Sequence, residues 1–411
     1  MRKGLIPYIL LVFFLGSFNV IAQNDIKVLS QLAQQAKENG ENLKAIELYD
    51  ELYSKTRSET YYLELIELYT LEQDYQAADK MIKKRIKLLP KRVDLIVDRG
   101  YIFHLQDREK DRDKLYEEAI SKVKTSPNEI RRVANKFVKY QAFEFAEKTY
   151  LKGRKTINED QLFRFELASV YAQQGKTTEM LDEYLDLLAS NRGHLQNVQN
   201  ILSRVMNPDP EGRQKELLKN NLLRRIQKNP NDEIYSELLI WLFIQEKNFL
   251  GAYTQAKALD KRRGEKGRRL FSLAQLSLSN NNYDVAEKSY QYIIDLGDDS
   301  PYYLKSKTNL VEVLRKKVTT GNQYTDEDLQ HLKRAYINTL DELGRSVFSL
   351  SLQRGLADLY AYYLDSIETA VAILERAKSL GGISNEDKAE IKIELGDLML
   401  LSGEIWEASL L

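Results

Sequence analysis

Residues 146–184 read AEKTYLKGRKTINEDQLFRFELASVYAQQGKTTEMLDEY, and their spacing decides the fold. Ala146, Tyr150 and Gly153 stand four and three positions apart, which puts them on one face of a helix. Leu167, Ala168 and Tyr171 mark the face of a second helix, Gly175 opens a turn, and Tyr184 repeats Tyr150 one period later. Working outward, Tyr116 precedes Tyr150 by that same period. With the Ala position as register mark, the series is Ala45, Ala78, Arg112, Ala146, Met180, Leu218, Ala252 and Ala286, in steps of 33, 34, 34, 34, 38, 34 and 34. Chance does not hold a phase over seven steps. Three of the eight marks carry no Ala, so several copies are degenerate.

The spacing has a physical reading. Small residues such as Ala168, Ala274 and Gly396 let one helix approach its neighbour, and Tyr or Phe side chains fill the space beside them. Each helix pair leaves an apolar face open, and the next pair covers it. These Ala and Tyr residues are therefore core. A coiled coil does not fit, because no heptad persists and the breaks recur with the period.

Composition agrees. The 411 residues include only 19 Gly and 7 Pro, too few for a turn-rich β protein or a Pro/Gly-rich disordered chain. Leu, Ala, Glu, Lys, Gln and Tyr dominate and suit helices. The class expected is all-α. Charge is balanced, 61 Lys and Arg against 61 Asp and Glu, which argues against nucleic acid as partner. There is no Cys, hence no disulfide, no Cys-ligated metal and no lipidated N-terminal Cys. His104, His194 and His331 are far apart, no Gly-rich phosphate loop occurs, and the many carboxylates read as solvated faces. No enzyme, cofactor or metal site is expected. The basic run Lys261–Arg269 reads as a solvated loop between repeats.

The stretch Met1–Ala22 reads as a cleaved secretory signal. Arg2 and Lys3 precede the apolar run Leu5–Phe18, and Val20 and Ala22 suit the −3 and −1 positions before Gln23. The run is shorter than the ~20 residues needed to span a bilayer. No further run of spanning length follows, so the mature chain is expected to be exported, without a transmembrane segment.

At this point the chain resembles the tetratricopeptide repeat family. The residues carrying the likeness are Tyr62, Leu65, Tyr69, Tyr75, Ala78 and Pro90; Leu167, Ala168, Tyr171, Gly175 and Tyr184; and Leu273, Ala274, Tyr283, Ala286 and Tyr290. It also looks like exported members from Bacteroidetes-type bacteria, a likeness that implies the periplasm or cell envelope of a Gram-negative bacterium. The resemblance implies an α-α superhelix of about ten helix pairs. Residues 23–300 form an N-terminal array, and 301–411 hold longer-helix repeats beyond a boundary near Pro301. The step from Ala286 to Ala370 is 84, with a loop signal at Thr319–Asn322 and an N-cap at Thr325 before Asp326, Glu327 and Asp328. Asn191 to Asn229 reads as an irregular repeat with an insertion at Asn207–Pro210. The last repeat, marked by Ala408, stops at Leu411 as if truncated, and exposed Ile405, Trp406, Leu410 and Leu411 are expected to favour self-association.

In the family the first helix of each pair lines a concave groove that binds a protein or peptide. Carried over residue by residue, the groove positions are Arg131, Asn135 and Lys139 on one helix, Phe165 with Ser169 on the next, then Trp241, then Phe271 and Gln275. A spacing of four puts the first three on one face. The subset that clamps C-terminal carboxylates has a basic residue and an Asn where Arg131 and Asn135 stand, but Glu166 replaces its next Asn. The function implied is a non-catalytic protein-interaction scaffold. The alternative is the repeat arm of a larger envelope enzyme or outer-membrane assembly factor whose remaining domain lies beyond Leu411.

Overall fold

The computed structural model describes residues 25–207, 211–320 and 324–410. The signal stretch 1–22 lies outside them, as do Pro208, Asp209 and Pro210 of the insertion, Gly321 and Asn322 of the loop signal, and Leu411. Among the described residues every regular element is a helix and no strand occurs. The all-α expectation holds.

The chain divides into two compact units, one ending at Ser190 and the other starting at Asn191, where the irregular repeat opens. The first holds α1 (residues 25–38), α2 (Asn42–Thr56), α3 (Glu59–Leu71), α4 (Tyr75–Leu88), α5 (Asp94–His104), α6 (Glu109–Lys122), α7 (Pro127–Lys139), α8 (Phe143–Ile157), α9 (Arg164–Gln173) and α10 (Thr177–Ser190). The second holds α11 (Leu195–Met206), α12 (Arg213–Lys228), α13 (Glu233–Gln245), α14 (Phe249–Arg263), α15 (Arg268–Ser279), α16 (Tyr283–Asp295), α17 (Tyr303–Thr320), α18 (Asp326–Leu343), α19 (Leu350–Tyr362), α20 (Ile367–Lys378), α21 (Asn385–Ser402) and α22 (Ile405–Ser409). Pro301 lies inside the second unit, between α16 and α17, which pack on each other.

Helices pack on their chain neighbours, α5 on α6, α7 on α8, α9 on α10, α15 on α16, α19 on α20. Contacts to the next pair, α5 with α7 and α6 with α8, join one repeat to the following one. The register marks explain this stacking. Ala45, Ala78, Ala146, Met180, Leu218, Ala252 and Ala286 are all 2% exposed or less. Arg112 alone among the marks is only half-buried. Gly100 has a specific reason: a Cβ there would come within 2.4 Å of the Tyr116 ring, which is 1% exposed. Gly396, expected to admit a close neighbour, instead faces open space, with nothing within 4 Å of where its Cβ would stand.

Start signals act locally. Asp74, Asn248 and Asn282 each accept a hydrogen bond from the backbone N–H three positions on, at the heads of α4, α14 and α16. Thr325 is the N-cap expected from sequence, and Asp328 makes the cap reciprocal by accepting from the Thr325 backbone N–H. The C-terminal helices α17, α18 and α21 are longer, at 18 residues each. Thr319 and Thr320, expected in a loop, instead complete the last turn of α17. Ile405, Trp406 and Leu410 near the end are 66%, 82% and 85% exposed.

Candidate functional site

In the first unit α3, α5, α7 and α9 present a polar face, and most of it is already paired across repeats. Asp94 and Asp98, one turn apart on α5, are 0% and 1% exposed. Arg92 donates to Asp94 and, through both terminal nitrogens at 2.8 and 2.7 Å, to Glu59. Arg132 adds a bond to Asp94 at 3.0 Å. Asp98 accepts from Lys136 at 2.7 and 3.0 Å, from the Tyr140 hydroxyl at 2.7 Å and from the Tyr62 hydroxyl at 3.3 Å. Burial, with the Asp98 charge beside them, holds both hydroxyls far above the ordinary tyrosine range.

The Arg92 hydrogen bond lowers Glu59 from its ordinary 4.5 to about 2. Because the folded value lies below the unfolded one, the pairing contributes above the unfolded value and is lost as pH falls through the folded one. The stability difference between the wild type and Glu59→Gln should therefore shrink as melts are taken from about pH 5 to about pH 2. A difference that stays constant over that range would show that Arg92 leaves Glu59 unperturbed.

The groove residues expected from sequence fare differently from one another. Arg131 is engaged: its Nε donates to Glu166 at 2.6 Å, and its guanidinium lies 5.2 Å from the Phe163 ring centre. Glu166 is the residue that breaks the clamp pattern, and here it occupies the clamp's basic side chain. Asn135 accepts from the Tyr150 hydroxyl at 3.0 Å. Lys139 is exposed and has no carboxylate partner among the described residues; Tyr140 lies beside its ammonium, 5.7 Å from ring centre to Nζ. Phe165 is 38% exposed, edge-on to Tyr184. In the second unit Trp241 is half-buried and Gln275 exposed. Phe271 is 6% exposed, packed on Tyr302 and Tyr290, and offers a ligand little surface. The basic run is engaged as well. Arg262 donates to the Pro230 carbonyl and to Ser236, Arg263 pairs with Glu233, and Arg269 with Glu237 and Glu265.

What sequence reasoning missed is a cleft of about 730 Å³ along the turns that join α5 to α6, α7 to α8 and α9 to α10. Tyr116 and Phe145 form its floor, 5.0 Å apart edge to face, with buried Phe137 packed against both. Tyr101 stacks on Tyr140 in one wall, with centres 3.9 Å apart. His104, Arg112, Lys139 and Lys176 also line it. Arg112 is held by Glu109 and Asp113, and Lys176 by Glu147, leaving Lys139 as the free cation among these lining residues. Gln174 lies in the wall with its amide nitrogen and oxygen both shielded from solvent and without a hydrogen-bond partner.

The cleft has a cause in the repeat pattern. The place after the turn holds a ring at Tyr75, Phe143, Phe249 and Tyr283, but Glu109 and Thr177 occupy it one period either side of Phe143. The register mark that follows Glu109, three positions on, is Arg112 in place of Ala. Two rings are absent and a long polar side chain replaces a methyl, so the turns stay apart. Those three departures from period were the available signal.

None of the known protein-family models matches the chain, and no curated protein matches it in sequence. Among solved structures it is similar to yeast Tom70, at 13% identity and a TM-score of 0.30, covering 92% of this chain and 96% of that one. It is also similar to the TPR domain of P58(IPK), at 12% identity and a TM-score of 0.26, covering 92% and 99%. The Cut9–Hcn1 hetero-tetramer of the APC/C gives 12% identity and a TM-score of 0.28, covering 93% and 77%. At such scores the description of the fold rests on the helices and their packing, not on these likenesses.

Proposed function

We propose that this protein is an exported, non-catalytic scaffold that binds a protein or peptide partner through its first unit. The observation that carries the reading is the open cleft, where a free ammonium and aromatic walls converge on packed helix pairs. Rigid, pre-formed contacts of this kind keep the ordering cost of binding low. The polar face of α3, α5 and α7 is largely self-paired, so the groups left for a partner are Lys139, Phe165 and the cleft.

Export rests on Arg2, Lys3 and the apolar run after them, and predicts a mature N-terminus at Gln23 by mass spectrometry. No helix among the described residues is long and apolar enough to cross a membrane. The test of binding is a paired capture from envelope extract, with the wild type and Lys139→Glu as baits and quantitative mass spectrometry as readout. Proteins held by the wild type should drop about tenfold on the variant, the loss expected when a charged hydrogen bond is reversed. Identical capture by both baits would place the binding surface elsewhere.

A further inference from the structure

In the second unit the cations next to Arg315 in the chain are paired. Lys317 reaches Asp284 and Glu287 at 2.9 Å, and Lys316 lies 3.7 Å from Glu312. On α19, Arg354 is taken by Glu390 and Glu394 of α21. Arg315 and Asp358 depart from this pattern. They line one pocket of about 230 Å³ between α17, α18 and α19, yet form no ion pair with each other or with another described residue. Burial raises the Asp358 carboxyl above its ordinary range, and the Arg315 charge offsets that only in part.

The wall of the pocket holds a third unmatched group. Tyr336 of α18 is 3% exposed, and its hydroxyl makes no hydrogen bond to a described residue. A hydroxyl on a side chain this buried ordinarily has a partner. It lies against Gly355 of α19, which also lines the pocket, and a Cβ there would come within 2.4 Å of the hydroxyl oxygen. The missing methyl is what leaves the hydroxyl its place. The rest of the lining includes buried Val318, Leu332 and Leu359, and Tyr362 at 56% exposure.

Size and charge select the ligand. At about 230 Å³ the pocket is smaller than the roughly 300–1,000 Å³ of sites that take drug-sized molecules. A lone carboxylate would suit Arg315 but repel Asp358, and a lone ammonium would do the reverse. A zwitterion satisfies both, with the phenol able to donate or accept at either end. In a free α-amino acid the two charges flank a single carbon atom, and an apolar side chain on that carbon can lie on the aliphatic wall. We propose that this pocket binds a free apolar α-amino acid, with its carboxylate on the Arg315 guanidinium, its ammonium on Asp358 and its side chain against Leu332 and Leu359. The site belongs to the second unit and is separate from the partner surface assigned to the first.

The test is isothermal titration of the full chain with each standard amino acid in turn. An apolar one, such as leucine or phenylalanine, should bind saturably, and aspartate and lysine should not. The N-acetyl and amide derivatives of that amino acid, each lacking one charge, should bind about tenfold or more weakly. Arg315→Gln and Asp358→Asn should each lower affinity about tenfold or more. Both side chains are exposed, so neither variant should lower the melting midpoint of the free chain. Tyr336→Phe, which keeps the ring, should weaken binding too, and so should Gly355→Ala, which displaces the hydroxyl. No binding of any amino acid at millimolar concentration overturns the proposal. So does equal binding of the blocked derivatives, a preference for charged amino acids, or an affinity untouched by Arg315→Gln and Asp358→Asn.

Discussion

Asp98→Ala should destabilise the first unit by about 3–5 kcal/mol, the range for breaking a buried ion pair from one side. The carboxylate is 1% exposed and gathers Lys136 from α7 with the Tyr62 and Tyr140 hydroxyls from α3 and the end of α7. Its removal leaves the Lys136 ammonium, 13% exposed, without a counter-charge, and the hydroxyl of Tyr62, a 0% exposed residue, without a partner. Lys136→Met should cost less, because Asp98 keeps two hydroxyl donors. Asp98→Leu combined with Lys136→Met should recover part of the loss, since paired apolar replacements often do. Repeat arrays unfold in parts, so hydrogen exchange of α5 and α7 amides should accompany denaturant curves. A cost below about 1 kcal/mol, as for an exposed pair, would mean the group is solvated.

Phe137→Ala should cost about 3–5 kcal/mol as well, for a different reason. The ring is 0% exposed and wedged against Tyr116 and Phe145, with centres at 4.8 and 5.7 Å. Truncation removes transfer energy and leaves a void under the cleft floor that neighbouring repeats cannot fully close. Phe165→Ala, at a ring 38% exposed, should cost about 1 kcal/mol or less and serves as the control. Equal losses from the two would show that Phe165 is core.

The period made the core legible. Ala146, Met180 and Leu218 are buried because the mark that places them is set by helix geometry, which a single chain carries in full. Tyr116, Tyr150 and Tyr184 are buried for the same reason. The polar face was not legible in that way. Asp94 and Asp98 flank Leu95, Ile96 and Val97, and an acid one turn from another amid apolar residues signals burial, but the partners Arg132 and Lys136 come from the next repeat. Period says which residues share a face; it does not say which long side chain crosses to the neighbour. That is why Arg131 and Asn135, which spacing puts on a shared face, prove engaged by Glu166 and Tyr150. Lys139 stays free although Lys136 and Tyr140 on either side of it both reach Asp98. Phe271 is buried because Tyr302, from the connection to α17, covers it, and no repeat pattern foretells that connection.

The cross-repeat bonds have a consequence for synthesis. Their partners lie close along the chain: 33 residues for Arg92 with Glu59, 42 for Tyr140 with Asp98, 40 for Arg354 with Glu394. Nothing in such a pair waits for the far end of the polypeptide. As the chain emerges from a ribosome or a translocation channel, at about 5–20 residues per second on the ribosome, each carboxylate meets its cation within seconds of appearing. Assembly can therefore proceed as a moving front, with only the newest helix pair unpartnered, and a stall would leave behind a finished stack rather than a collapsed globule.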